Sequence, residues 1–177
     1  NITTAYFNNT ISALIARYSL FAGDFAGAIT AANAVDLSYN GAVLGFDAII
    51  TNPIFTTATA TNNVFQILDS TLGLPTALAP DLTDQRIAFY TSINPTIQPR
   101  YRIRGFFSAP TQAVPLYLPD EMRLIKAEAY VRQAAPDLTA AVAEINAVRT
   151  QLPSADAFGI GGGLAAYSGT VSAPALL

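Results

Sequence analysis

Apolar residues recur at the helical period at both ends of the chain and lose that period in between. Near the start, Phe7, Ile11, Leu14, Ile15, Tyr18, Phe21 and Ala22 fall at i, i+4, i+7, i+8, i+11, i+14 and i+15, one continuous apolar face. Gly23 supplies the stop, because glycine takes a positive φ at a helix end without steric cost. Asp24 follows directly and can cap a second helix, whose stripe is Phe25, Ala28, Ile29, Ala32 and Val35. Helices are therefore expected over 5–22 and 24–36, joined by a very short turn. Toward the other end, Pro119-Asp120 opens a helix running through about Gln133, with proline at a tolerated first position. Leu118, Met122, Ile125 and Ala129 form one face of it and Leu124, Ala127 and Val131 another, which predicts burial on two sides. Pro136-Asp137 opens the last helix, with Leu138, Ala141, Val142, Ile145 and Val148 as its stripe. Pro153 biases Leu152 away from helical geometry and ends it. Helices over 120–133 and 137–151 complete a mostly α fold of two hairpins.

The stretch 37–117 between the hairpins is rich in Thr, Asn, Pro, Gly and scattered aromatics. Short strands are expected at 64–68 and 100–106; the second alternates, with Arg100, Arg102 and Arg104 on one side and Tyr101 and Ile103 on the other. A short helix is expected from Asp81 or Asp84 through Tyr90. Irregular stretches this long are uncommon in compact domains and often carry function. The tail 153–177 reads as flexible loop. Its glycines, Gly159 and Gly161 to Gly163, make no phosphate loop, since neither a preceding strand nor a following Gly-Lys-Ser/Thr is present.

Composition narrows the function classes. The 177 residues suffice for a domain with a real core. Hydrophobic residues make up 51% and charged residues 12%, about half the usual charged share, so either a large buried fraction or a surface covered by something else is expected. The net charge is -3 and the one lysine is Lys126, which argues against nucleic acid and acidic membrane surfaces as partners. The best apolar run, Ala42 to Ile50, is short, carries Asp47, and falls below the roughly 18 residues a spanning helix needs. With no histidine and no cysteine, the chain has no Ser-His-Asp or Cys-His catalytic pair and no Cys/His zinc site. No catalytic residue, metal or cofactor is expected, and a carboxylate-based hydrolase is the remaining enzymatic option.

The residues that invite chemistry are few. Arg100, Arg102 and Arg104 could grip an anion, but alternation alone produces such a row, and a solvated strand face is the expectation. Glu128, in an otherwise apolar helix, lacks the partner acid/base work requires; a buried structural pair with Arg149 of the next helix is expected. Asp69, Asp81 and Asp84 could lend oxygens to calcium, yet their spacing matches no loop motif, and helix capping explains Asp81 or Asp84 more simply. The aromatics off the helical stripes are Tyr39, Phe46, Phe55, Tyr101, Phe106, Phe107 and Tyr117. Sugar rings present C–H faces that stack on aromatics, and Asn40, Asn62 and Asn63 lie near in sequence. At most two or three of the seven are expected to be exposed, the rest filling a core under the loops.

The first hairpin, residues 13–29, resembles a tetratricopeptide-type repeat. Ala16, Gly23, Phe25 and Ala28 stand where such repeats place small residues at the helix contact, glycine at the turn and an aromatic just after it. In the second hairpin, Ala127-Glu128-Ala129 and the Ala141 to Arg149 helix with its Ile145-Asn146 step resemble segments of the SusD/RagB family of outer-membrane nutrient-binding lipoproteins. Asn63 to Ile67 and Asp84-Gln85-Arg86 resemble further family stretches in the right order, so the resemblance spans roughly residues 5–152. It implies a non-catalytic, surface-exposed outer-membrane protein that captures glycans or other nutrients. Its partner would be a TonB-dependent, SusC-like transporter, and its only membrane attachment a lipid anchor outside this chain. Tyr39, Asn40, Tyr101, Phe106 and Phe107 are the ligand-binding candidates. The family's closing Glu/Arg-rich block and lipid-bearing cysteine are absent and the chain begins at Asn1, so a piece of a longer protein is expected. Its uncovered apolar surface would then associate with another copy or with flanking sequence. The alternative is a tetratricopeptide-type adaptor that binds protein.

Overall fold

A computed structural model describes residues 3–38, 42–59, 74–93 and 101–177. In chain order the elements are α1 (Thr4–Ala22), α2 (Phe25–Asn33), β1 (Val43–Leu44), α3 (Gln85–Tyr90), β2 (Thr91–Ile93), β3 (Tyr101–Ile103), β4 (Val114–Pro115), α4 (Pro119–Arg132), α5 (Leu138–Thr150) and α6 (Ala173–Leu176). Helix dominates, and the long helices fall within a few residues of the positions that period and punctuation predict. The chain forms two compact units, one from Asn1–Ala42 and Leu116–Leu177, the other from Val43–Pro115.

The helical unit is built on close contact between small residues. The Thr3 hydroxyl caps α1 by accepting from the Tyr6 N–H. Gly23, at φ 79°, ends the helix while its N–H donates to Leu20 O and the Asp24 N–H donates to Ser19 O. The Asp24 carboxylate then accepts from the Gly27 N–H and starts α2 at once. Ala13 and Ala16 of α1 and Ala28 of α2 are 0% exposed. With Ala32, Val35, Tyr117, Met122, Ile125 and Ala129 they form the core, against which Leu20, Phe25 and Ile29 pack. Alanines at the contact let the helix axes approach closely. Helix α4 packs against α2 on one side and α5 on another; Met122, Ile125, Ala127, Ala129 and Val131 are buried, whereas Leu124 is exposed.

Two polar expectations are corrected here. Glu128 is not buried and does not meet Arg149: it accepts from Arg132 one turn along the same helix at 2.6 Å, with side chains 41% and 46% exposed. Arg149 instead donates to the Ala165 carbonyl. The charge that bridges α4 and α5 is Lys126, whose Nζ lies 2.6 Å from Glu144, with Arg123 at 3.6 Å from the same carboxylate. Lys126 is buried at 8% exposure. Two residues of rotation separate the two cases, since Glu128 lies beyond the seam that Lys126 faces.

The tail is also more ordered than expected. Ile160, Gly161 and Gly162 are buried, and the N–H groups of Gly163 and Leu164 donate to the Gln151 and Arg149 carbonyls at the end of α5. A Cβ on Gly161 would lie 2.2 Å from the Leu152 backbone, so glycine here permits a close crossing. The short α6 packs on α4 and α5.

In the second unit β1 pairs antiparallel with β4 and β2 with β3. The strand expected over 100–106 narrows to β3, because Gly105 at φ 66° turns the chain into a 3-10 turn, Gly105–Phe107. Asp84 caps α3 as expected; the strand expected at 64–68 lies outside the described residues. Asn52 is fully buried and ties the unit together. Its amide donates to the Phe106 and Gln112 carbonyls, its side-chain oxygen accepts from the Ile54 and Phe55 N–H groups, and its own N–H donates to Pro110 O.

Removing one partner of a buried pair strands the other charge, at about 3–5 kcal/mol, whereas exposed i,i+4 pairs contribute about 0.3–0.5 kcal/mol. Chemical denaturation should therefore show Glu144→Ala clearly destabilised and Glu128→Ala close to the parent chain. Equal losses would contradict the assignment of Lys126 and Glu144 as the cross-helix pair.

Candidate binding surfaces

Among the described residues, the aromatics of the irregular middle do not assemble into an exposed platform. Phe106 is buried, edge-to-face on Phe89 at a centroid distance of 5.4 Å and on Tyr90 at 6.3 Å. Phe107, Phe46 and Phe55 are half-buried. Tyr117 belongs to the core of the helical unit at 2% exposure. Its hydroxyl is buried with no hydrogen-bond partner among the described residues. Burial raises the Tyr117 pKa, helped by the neighbouring Tyr6 and Asp36. Tyr39, Asn40, Asn62 and Asn63 lie outside the described residues. Tyr101 is placed by its backbone on β3, opposite Ile93, while its side chain lies outside what is described. Of the ligand-binding candidates, Phe106 and Phe107 thus share one turn, with only Phe107 reaching partway to solvent.

The other candidates resolve as follows. Arg104 is exposed, as a solvated strand face requires, but Arg102 is only partly so, and its Nε and one terminal nitrogen are shut from solvent without a hydrogen-bond partner among the described residues. Arg100 and Asp69 lie outside the described residues. Asp81 accepts from the Thr83 N–H and hydroxyl, and Asp84 from the Arg86 backbone and guanidinium. Burial pushes the Asp84 carboxyl up, but its bonds from Arg86 outweigh that and hold it below the usual range. Among the described residues no group of three His, Cys, Asp or Glu side chains is arranged to hold a metal ion.

Large exposed apolar residues occur on both units, among them Ile49 and Ile50 of the middle stretch, but on α1 they line up along one helix face. Phe7 is 56% exposed, Ile11 40%, Ile15 51%, Tyr18 65% and Phe21 75%. They are members of the apolar stripe that the helical period singles out, so that stripe is the outward face of α1 and the alanine side is the inward one. Ile11, Leu14, Ile15, Tyr18 and Ala22 line a shallow groove along it, together with Ser19 and Asp24. No charge interrupts the stripe. Arg17, the one charged residue of α1, is held by Glu121 of α4 through its Nε at 2.6 Å and a terminal nitrogen at 2.8 Å, and also donates to Leu116 O. The bonds to Glu121 raise its pKa above the ordinary arginine value despite partial burial. The period of the stripe was legible in the sequence, but a period does not say which side faces in. The small residues Ala13, Ala16, Ala28 and Ala32 carried that information.

No protein-family model matches the chain. No curated protein matches it either.

Truncating a buried phenylalanine typically costs about 3–5 kcal/mol. Phe106→Ala should therefore speed amide hydrogen exchange across residues 43–115, with much smaller changes in α1, α2, α4 and α5. Unchanged protection around Phe89 and Tyr90 would show that Phe106 is not part of that aromatic cluster.

Proposed function

We propose that this chain is a non-catalytic binding module of the SusD/RagB kind. It captures glycans or other nutrients at the surface of the outer membrane and delivers them to a TonB-dependent, SusC-like transporter, the full-length protein being held by a lipid anchor. The observation that supports this reading is the arrangement of the hairpins. The two hairpins that resemble repeat and family segments, α1 with α2 and α4 with α5, pack through α2 and α4 into one helical unit. The intervening residues form a second compact unit, in which a further stretch of the resemblance, Asp84-Gln85-Arg86, opens α3. On this reading Tyr101 and Phe107 contribute to the glycan site, and Phe106 supports the turn from beneath.

A second reading, a tetratricopeptide-type module that binds protein, is favoured by the bare face of α1. Aliphatic and aromatic side chains without polar partners suit another helix better than a hydroxyl-rich sugar. One screen separates the two: calorimetry of the whole chain against an oligosaccharide panel and against amphipathic helical peptides. The glycan reading expects at least one oligosaccharide to bind, weakened by Tyr101→Ala and by Phe107→Ala, and no sugar to be hydrolysed. Peptide binding without any sugar binding would replace it with the second reading.

A further inference from the structure

We infer that the outward face of α1 is a self-association surface, and that its occupant is a second copy of this chain. The inference rests on the second reading in treating this face as a protein-docking surface, and goes on to name what docks there. Phe7, Ile11, Leu14, Tyr18 and Phe21 follow one another at alternating steps of four and three residues. That is the 3.5-residue period of a helix seam that packs knobs into the holes of a facing helix. Ile15 and Ala22 widen the seam on one side.

Three observations select a like partner. The first is charge. Seams that choose a different sequence do so through charged residues flanking the knobs, and α1 offers none, its Arg17 being held inward by Glu121. The seam therefore selects another uncharged apolar seam, and α1 of a second copy is one. The second is area. Aromatic side chains offer about 150–250 Å² and isoleucine somewhat less, so the exposed fractions of Phe7, Ile11, Ile15, Tyr18 and Phe21 leave roughly 500 Å² of apolar surface per copy. That is the upper range for a monomer's largest patch, about 300–600 Å². Full coverage of both faces would bury about 1,000 Å² in total, the low end of interface size, where association is weak and reversible. The third is symmetry. The bulky ends of the seam, Phe7 and Phe21, flank a slimmer Ile11-Leu14-Ile15 centre. An antiparallel two-fold pairing then sets each copy's aromatic end over the other's opposite end, the same patch serving both partners.

The test is sedimentation of the full chain over a concentration range, together with cross-linking. The parent chain should sediment as a dimer, with dissociation in the micromolar range. Ile15→Glu should weaken association by roughly a hundredfold or more while leaving the helical circular dichroism unchanged, because Ile15 is half exposed and lies outside the core cluster. The chain has no cysteine, so single cysteines report proximity directly. Ile15→Cys should form a covalent dimer on mild oxidation, and Ala26→Cys, exposed on α2, should not. A parent chain that stays monomeric, or a dimer indifferent to Ile15→Glu, overturns the inference. A monomer that binds helical peptides through α1 leaves the second reading standing without self-association; a monomer that binds none removes both.

Discussion

The core of the helical unit rests on a contact between small side chains. Ala13 and Ala16 of α1 and Ala28 of α2 are fully shut from solvent, so a larger side chain at any of them would have to displace its neighbours. Much else follows from that contact. The turn between the helices must be minimal, which Gly23 permits by taking φ 79° and Asp24 completes by capping the next helix from the adjacent position. Helix α4 then finds a ready surface for Met122, Ile125 and Ala129. Because α1 spends its alanine side on the core, its bulky side has nowhere to go but outward.

The same contact accounts for what was readable in advance and what was not. Helix positions were legible, because the apolar period, the proline starts and the glycine stop are local. The aspartate caps were legible for the same reason, Asp24 heading α2 and Asp84 heading α3 where their sequence context predicts. Orientation was not. A run such as Phe7, Ile11, Ile15 and Tyr18 announces a face without saying which way it points, and bulk suggests the core. The evidence against bulk lay in Ala16 and Ala28, which the likeness to a helical repeat had already placed at the helix contact.

Long-range polar choices were hidden for a related reason. Glu128 and Lys126 sit two residues apart on α4, which turns them about 200° from each other on a helix of 3.6 residues per turn. Only the packing of α5 decides which one is covered, and it covers Lys126 beside Glu144. Asn52 was equally silent, since nothing near it in sequence shows that its amide will bridge the carbonyls of Phe106 and Gln112. The aromatics of the middle stretch were visible as residue types, but their exposure depended on how the turn at Gly105 set Phe106 against Phe89 and Tyr90.

The orientation of α1 is the claim on which the account turns, and one substitution tests it. Leucine matches alanine closely in helix propensity, so Ala16→Leu changes little except the volume at the α1–α2 contact. Urea denaturation of the full chain should show a loss of about 1–3 kcal/mol or more, the usual cost of overpacking a close contact. Stability unchanged or raised by Ala16→Leu would mean that Ala16 faces solvent and the aromatic stripe faces the core, and the account would be contradicted.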